Sequence, residues 1–144
     1  MKPRGELALV LHTHMPYVEG FGTWPFGEEW LWEAIAGSYL PLLGVLGRAP
    51  ITLSLTPVLC DQLEAPGAIE RCMQFLTEVR PESHRLDLDH FRETGQHQFT
   101  AELERSAGEY AAAAERLRAL GAGGLLTALG GDASWTSAAT HAVL

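Results

Sequence analysis

Five apolar residues, Leu7 to Leu11, run without a charge and then give way to His12, Thr13, His14, Met15 and Pro16. An unbroken apolar run of this length reads as a strand buried on both faces, as in parallel sheets. Pro16 has no backbone donor and cannot continue a central strand, so the element ends near His14. Side chains alternate along a strand, which sets His12 and His14 on one face, about 6.5–7 Å apart. From Glu28 to Leu46 the apolar positions return at helical spacing, with Leu31, Ile35, Leu42 and Leu46 facing a core. Glu28 and Glu29 stand where a helix N-terminus favours carboxylates, and Pro41 should kink or interrupt the helix. Ile51 to Thr56 alternates as a second strand closed by Pro57, and a short helical turn then breaks at Pro66-Gly67. Ala68 to Val79 is predicted to be a helix with Ile69, Cys72, Met73, Leu76 and Val79 on or near one face, stopped at Pro81. Leu86 to His90 reads as the start of a helical stretch. Phe99, Leu103, Tyr110, Ala114 and Leu117 mark a long helix ending near Leu120, where Gly121, Gly123 and Gly124 terminate it. Leu125 to Leu129 fits either a third strand or a short helix, and Gly130-Gly131-Asp132 a turn.

Strand, long helix, strand, helices and strand is the order of an α/β protein with parallel strands. Linkers, repeats and charge blocks are absent, so residues 1–144 read as one domain. The carboxyl end of an interior strand is where α/β sheets and barrels keep ligand sites, which makes the histidine pair the first candidate for chemistry. Trp24, Phe26, Trp30 and Trp32 fall within nine residues. Trp32 has core spacing, whereas Trp24 and Trp30 precede and begin the helix, where flat indole faces suit stacking on a pyranose ring. His84, His90 and His97 lie in polar surroundings and read as a solvated face.

The bulk numbers narrow the classes. With 47% apolar and 19% charged residues the chain is of globular type. A net charge of −8 counts against nucleic acid or an anionic membrane as partner, while neutral sugars are compatible with it. The 144 residues fall short of the roughly 250 of a complete eight-stranded barrel. Cys60 and Cys72 show no framework spacing and read as reduced thiols of a cytoplasmic protein. The first apolar run is too short for a signal peptide or a membrane span.

A His-x-His pair at a strand end has two chemical uses. One is metal binding, which needs further ligands, with His141 the credible third. The other is a sugar subsite in which imidazoles hydrogen-bond hydroxyls around a reacting ring. The stretches VLHTHMPYV, GTWPFGEEWLWEA, SYLPLL, LTPVLCDQL and TSAATHAVL resemble, in the same order, the N-terminal part of the 1,4-α-glucan branching enzymes of glycoside hydrolase family fifty-seven. The resemblance implies an incomplete (β/α)7 barrel, of which this chain is the N-terminal portion, and a retaining transglycosylation. In that reaction an α-1,4 linkage is cleaved, the glucan is held on a carboxylate, and it is passed to a 6-hydroxyl as a branch. It implies an α-glucan partner (glycogen, amylose or a maltooligosaccharide), with no cofactor and no metal. It puts His12, His14 and His141 beside the reacting sugar, and Trp24 and Trp30 along the cleft.

Two departures limit what the chain is expected to do. A retaining transfer needs two carboxyl groups about 5–5.5 Å apart, and the family's nucleophile glutamate and acid/base aspartate lie farther along than these residues reach. No catalytic residue is therefore assigned, and the expectation is a truncated piece carrying part of the substrate cleft, inactive alone. The segment Ala128–Trp135 also departs from the apolar strand expected before TSAATH. Other readings are an α-glucan hydrolase or 4-α-glucanotransferase of the same family, a metal-dependent hydrolase using the His-x-His pair, and a glucan-binding module without chemistry.

Overall fold

The computed structural model describes residues 5–22, 26–48, 50–131 and 133–138. Its strands β1 (Leu9–Thr13), β2 (Ile51–Leu55) and β3 (Ala133–Thr136) form a parallel sheet in the order β1-β2-β3, as the α/β reading requires. The central strand is the buried one: Leu53 on one face and Ser54 on the other are both closed to solvent. Burial of the first strand on both faces is overturned. Leu9 is 49% exposed, and Val10 and Leu11 39% each. Among the described residues β1 is an edge strand, so its apolar side chains lack the neighbouring strand that β2 has on both sides. Leu125–Leu129 belongs to a helix, α7 (Gly124–Gly131), and the third strand starts only at Ala133. Leu53 pairs with Ala133 but Ser54 pairs with Trp135, so β3 takes in one extra residue as a bulge. Four residues with an insertion are too few to show an apolar strand pattern.

Two helices meet a proline and accommodate it in the same way. α1 (Glu29–Ala34) runs through a π-turn, Ile35–Tyr39, into α2 (Leu40–Leu43). α4 (Ala68–Gln74) runs through a π-turn, Phe75–Val79, into α5 (Arg80–Glu93). Pro81 therefore does not stop its helix, and Leu86–His90 lies well inside α5. A proline ring collides with the carbonyl four residues back. For Pro41 and Pro81 those carbonyls belong to Gly37 and Thr77, at the middle of each π-turn. There Leu40 N–H and Arg80 N–H reach back five residues, to the carbonyls of Ile35 and Phe75. The wider turn also retunes the buried stripe. Leu31, Ile35 and Tyr39 recur every four residues, as do Trp32, Ala36 and Leu40, and Ala68, Cys72 and Leu76. At 3.6 residues per turn a stride of four drifts about 40° a step, and the π-turn takes up that drift. Val79, by contrast, is off the stripe and 49% exposed.

These stripes meet the long helix α6 (Thr100–Leu120), which contributes Ala113, Ala114 and Leu117, while α3 (Pro57–Glu64) adds Leu59 and Leu63, and α7 adds Leu125 and Leu129. Each fully buried leucine or isoleucine is worth about 1.5–3 kcal/mol against exposure. Two polar links tie the helices together. Glu28, at the start of α1, is buried and makes no side-chain cap. Its carboxylate instead accepts from Arg71 of α4, Nε to Oε2 at 2.9 Å and Nη2 to Oε1 at 2.7 Å. The second link corrects the reading of His84, which is buried rather than solvated. Its Nε2 lies 3.2 Å from Ser106 Oγ, and its ring is 5.4 Å from that of Tyr110. Arg80, one helical turn back, lies over Phe75 and Tyr110 and pairs with Glu33, which also accepts from the Tyr110 hydroxyl. His84 continues the four-residue stride from Leu76 through Arg80, a phase that the polar composition around it conceals. His90 and His97 are exposed, as expected.

Two stability tests follow from these links. Glu28 is 9% exposed and Arg71 39%, so losing the arginine strands a buried carboxylate whereas losing the carboxylate leaves a guanidinium that water can reach. Arg71→Ala is expected to cost about 2–3 kcal/mol, seen as a lower urea midpoint, and Glu28→Gln less; equal midpoints would contradict the asymmetry. Burial, and next the Arg80 guanidinium, hold the His84 pKa below its ordinary value, against a smaller opposing pull from Asp87. Folding thus favours the neutral ring, among neighbours that include Arg80, Asp87, Glu33 and Tyr110. Its contribution is complete above the unfolded histidine pKa of about 6.5 and is lost as pH falls through the lower folded value. Between about pH 7 and pH 5 the melting temperature should fall less in His84→Gln than in the wild type, and parallel curves would remove His84 from the account.

Candidate functional site

His12 and His14 stand at the carboxyl end of β1 with ring centroids 6.3 Å apart and planes only 5° from parallel. Alternation along the strand produces this pair, and the described geometry agrees with the predicted shared face. His12 lies opposite Ser54 in the register, and its Nδ1 is 3.2 Å from the Ser54 hydroxyl. Thr13, between the two histidines, turns to the other face, where its hydroxyl donates to the Ser54 carbonyl at 3.1 Å. Both histidines are exposed at this end of the sheet. An imidazole can both donate and accept hydrogen bonds.

The loop that follows folds back onto the core. Met15 and Val18 are buried, while Tyr17 between them is half exposed and donates its hydroxyl to Glu19 at 2.8 Å. That bond to the carboxylate, with minor desolvation, raises the Tyr17 pKa above the usual phenol value. The wholly buried Gln62 of α3 hydrogen-bonds the backbone of this loop. Gly20 and Gly22 take positive φ, +79° and +77°, which lets the chain reverse without a side-chain penalty. The loop is closed at its far end where Glu28 N–H donates to the Gly22 carbonyl at 2.7 Å, so the Glu28–Arg71 pair also steadies it. Trp30, on the first turn of α1, is 44% exposed and meets Phe26 edge to face, centroids 5.5 Å apart at 82°. Trp32 is core, as its spacing predicts.

The structure thus unites His12, His14 and Ser54, and separately Trp30 with Phe26. Trp24 and His141 lie outside the described residues. Sequence reasoning missed Ser54, Gln62 and the Glu28–Arg71 pair. A signal existed for two of them: Ser54 is out of phase with Leu53 along β2, and Gln62 shares the i, i+3, i+4 face of Leu59 and Leu63. Among the described residues no group of three or more His, Cys, Asp or Glu could hold a metal ion. No described helix is long and apolar enough to cross a membrane.

No protein-family model matches the chain. A 1,4-α-glucan branching enzyme of Thermococcus kodakarensis is 49% identical over 67 residues, covering 42% of this chain and 10% of that protein. A probable 1,4-α-glucan branching enzyme of Mycobacterium tuberculosis is 48% identical over 69 residues, covering 43% of this chain and 13% of that one. Among solved structures, the GH57-type branching enzyme of Pyrococcus horikoshii superposes with a TM-score of 0.74 at 30% identity, over 93% of this chain and 26% of its own. The GH57 branching enzyme of Thermococcus kodakaraensis, solved in complex with glucose, gives 0.75 at 31%, over 95% and 26%. The chain therefore spans about a tenth of the curated relatives it matches and about a quarter of the solved structures. Identity near one half across the matched stretch, and a shared α/β fold over more than nine-tenths of its length, make this chain similar to the glycoside hydrolase family fifty-seven branching enzymes.

Proposed function

We propose that the chain is the N-terminal portion of a 1,4-α-glucan branching enzyme, one part of an incomplete (β/α)7 barrel that supplies a wall of the glucan cleft. The observation that carries this reading is the pair of exposed, near-parallel imidazoles 6.3 Å apart at a strand's carboxyl end. In it His12 and His14 hydrogen-bond the hydroxyls of one glucose ring, with Ser54 holding the His12 imidazole in a fixed rotation. Trp30, braced edge-on by Phe26, offers its indole face to a neighbouring ring. Trp24 and His141 take their places in the same cleft from the family resemblance. The ligand is a glycogen-type or amylose-type α-glucan, bound here in fragments as a maltooligosaccharide, and the compartment is the cytoplasm. Free cysteines accord with that compartment, and burial pushes the Cys72 thiol up to about 12.

Two carboxylates near this wall have partners of their own. Glu28 is locked to Arg71 and Glu19 accepts from Tyr17, so neither is placed as half of the two-carboxyl pair that retaining transfer demands. The wall binds and orients, and the covalent step belongs to carboxylates farther along the parent barrel. Maltoheptaose titrated into the isotope-labelled chain should shift the ring resonances of His12 and His14 and the indole N–H of Trp30. His12→Ala and His14→Ala should each weaken its Kd at least about tenfold, the loss of one or two charge-neutral hydrogen bonds at about 1.4 kcal/mol per decade. A wild-type spectrum untouched by millimolar maltoheptaose would sink the reading. Incubated with amylose, the purified chain should form no α-1,6 linkages, and branched product would refute the division of labour.

A further inference from the structure

Gln62 has no solvent exposure, and its amide makes four hydrogen bonds. Oε1 accepts from the N–H of Val18 at 2.6 Å and of Glu19 at 3.3 Å. Nε2 donates to the carbonyl of Pro16 at 3.1 Å and to that of Val58, one turn back in its own helix, at 3.2 Å. Three of the four thus grip one four-residue segment, Pro16–Glu19, from beneath, and the fourth fixes the amide to α3. With both hydrogens used and its oxygen accepting twice, the amide has a single orientation. In a dry site every partner lost is costly, so the loop backbone inherits that orientation. Tyr17 stands out between two gripped residues, and His14 lies two residues upstream of the first of them.

We propose that Gln62 is a positioning residue of the glucan site: it fixes Pro16–Glu19 in the one conformation that presents Tyr17 and keeps His14 aligned with His12. This deepens the glucan-cleft reading and takes its ligand from it. A space-filling role could be met by methionine. The two-way pattern, accepting from two amides while donating to two carbonyls, could not. An ionised carboxylate at this position accepts but cannot donate, whereas a protonated one does both.

That contrast supplies the experiment, on the whole chain, with amide hydrogen exchange, histidine ring shifts and maltoheptaose binding read together. In the wild type the Val18 amide, though outside any helix or strand, should exchange as slowly as core amides. Gln62→Met should keep a cooperative unfolding transition, lose that protection, move the His14 ring shifts and weaken maltoheptaose at least about tenfold. Gln62→Glu should be weakened likewise at about pH 8 and recover relative to the wild type at about pH 5, because burial raises a carboxyl pKa. A Val18 amide exchanging at open-loop rates in the wild type overturns the proposal, even if neither variant folds. So does Gln62→Met binding as tightly as the wild type. If the wild type does not bind maltoheptaose, it is the glucan reading that fails. The positioning role is then decided by the Val18 amide and the His14 ring, and ring shifts unmoved in both variants overturn it.

Discussion

β2 is hydrogen-bonded on both sides, and its two faces hold opposite kinds of side chain. Leu53 points into the apolar core that the helices share, and Ser54 points to the face that carries His12 and His14. Strand alternation has a period of two, so a slip of one residue between β1 and β2 would exchange the faces. His12 would then stand opposite Leu53 or Leu55, and its hydroxyl partner would be gone. The register that lets Leu53 bury is therefore the same register that orients the imidazole. Core packing and site geometry are one constraint at this point.

A loop at a sheet end is otherwise the least restrained part of such a structure. Here it is fastened at both ends from positions distant in sequence, by Gln62 on α3 and by Glu28 with Arg71 on α4. Both fastenings are directional and each has a buried partner, Gln62 in one and Glu28 in the other, which makes them specific rather than merely adhesive. Ordering a loop during folding spares a ligand that cost later, and a ring with several hydroxyls is recognised by donors already in place.

Much of this was legible before any coordinates. Alternation alone sets His12 and His14 on one face, and their ring separation of 6.3 Å is close to the rise of two strand residues. The second strand, the long helix through Leu117 and the core role of Trp32 all follow from apolar spacing. What escaped did so for identifiable reasons. The exposure of Leu9, Val10 and Leu11 depends on where β1 sits in the sheet, which an apolar run cannot reveal. Pro81 reads as a stop because its ring clash is real, and only the opened turn around Thr77 removes it. His84 sits among charged neighbours in sequence, yet its phase on the helix carries it inward. Gln62 looks like one more polar residue until the chain segment 44 residues earlier is seen to lie over it.

The paired π-turns have a consequence for how this chain can vary. Each is a locally overlong loop of helix whose surplus residue sets the phase of everything downstream. Excising one residue from Ile35–Tyr39 or Phe75–Val79 would close the coil back to ordinary pitch. It would also swing the following segment by about 100° and drive the proline ring into a carbonyl again. Both helices are thus indexed by residue number as a toothed shaft is by its teeth. Side chains along them can be exchanged one for one far more readily than the spacing between them can be altered.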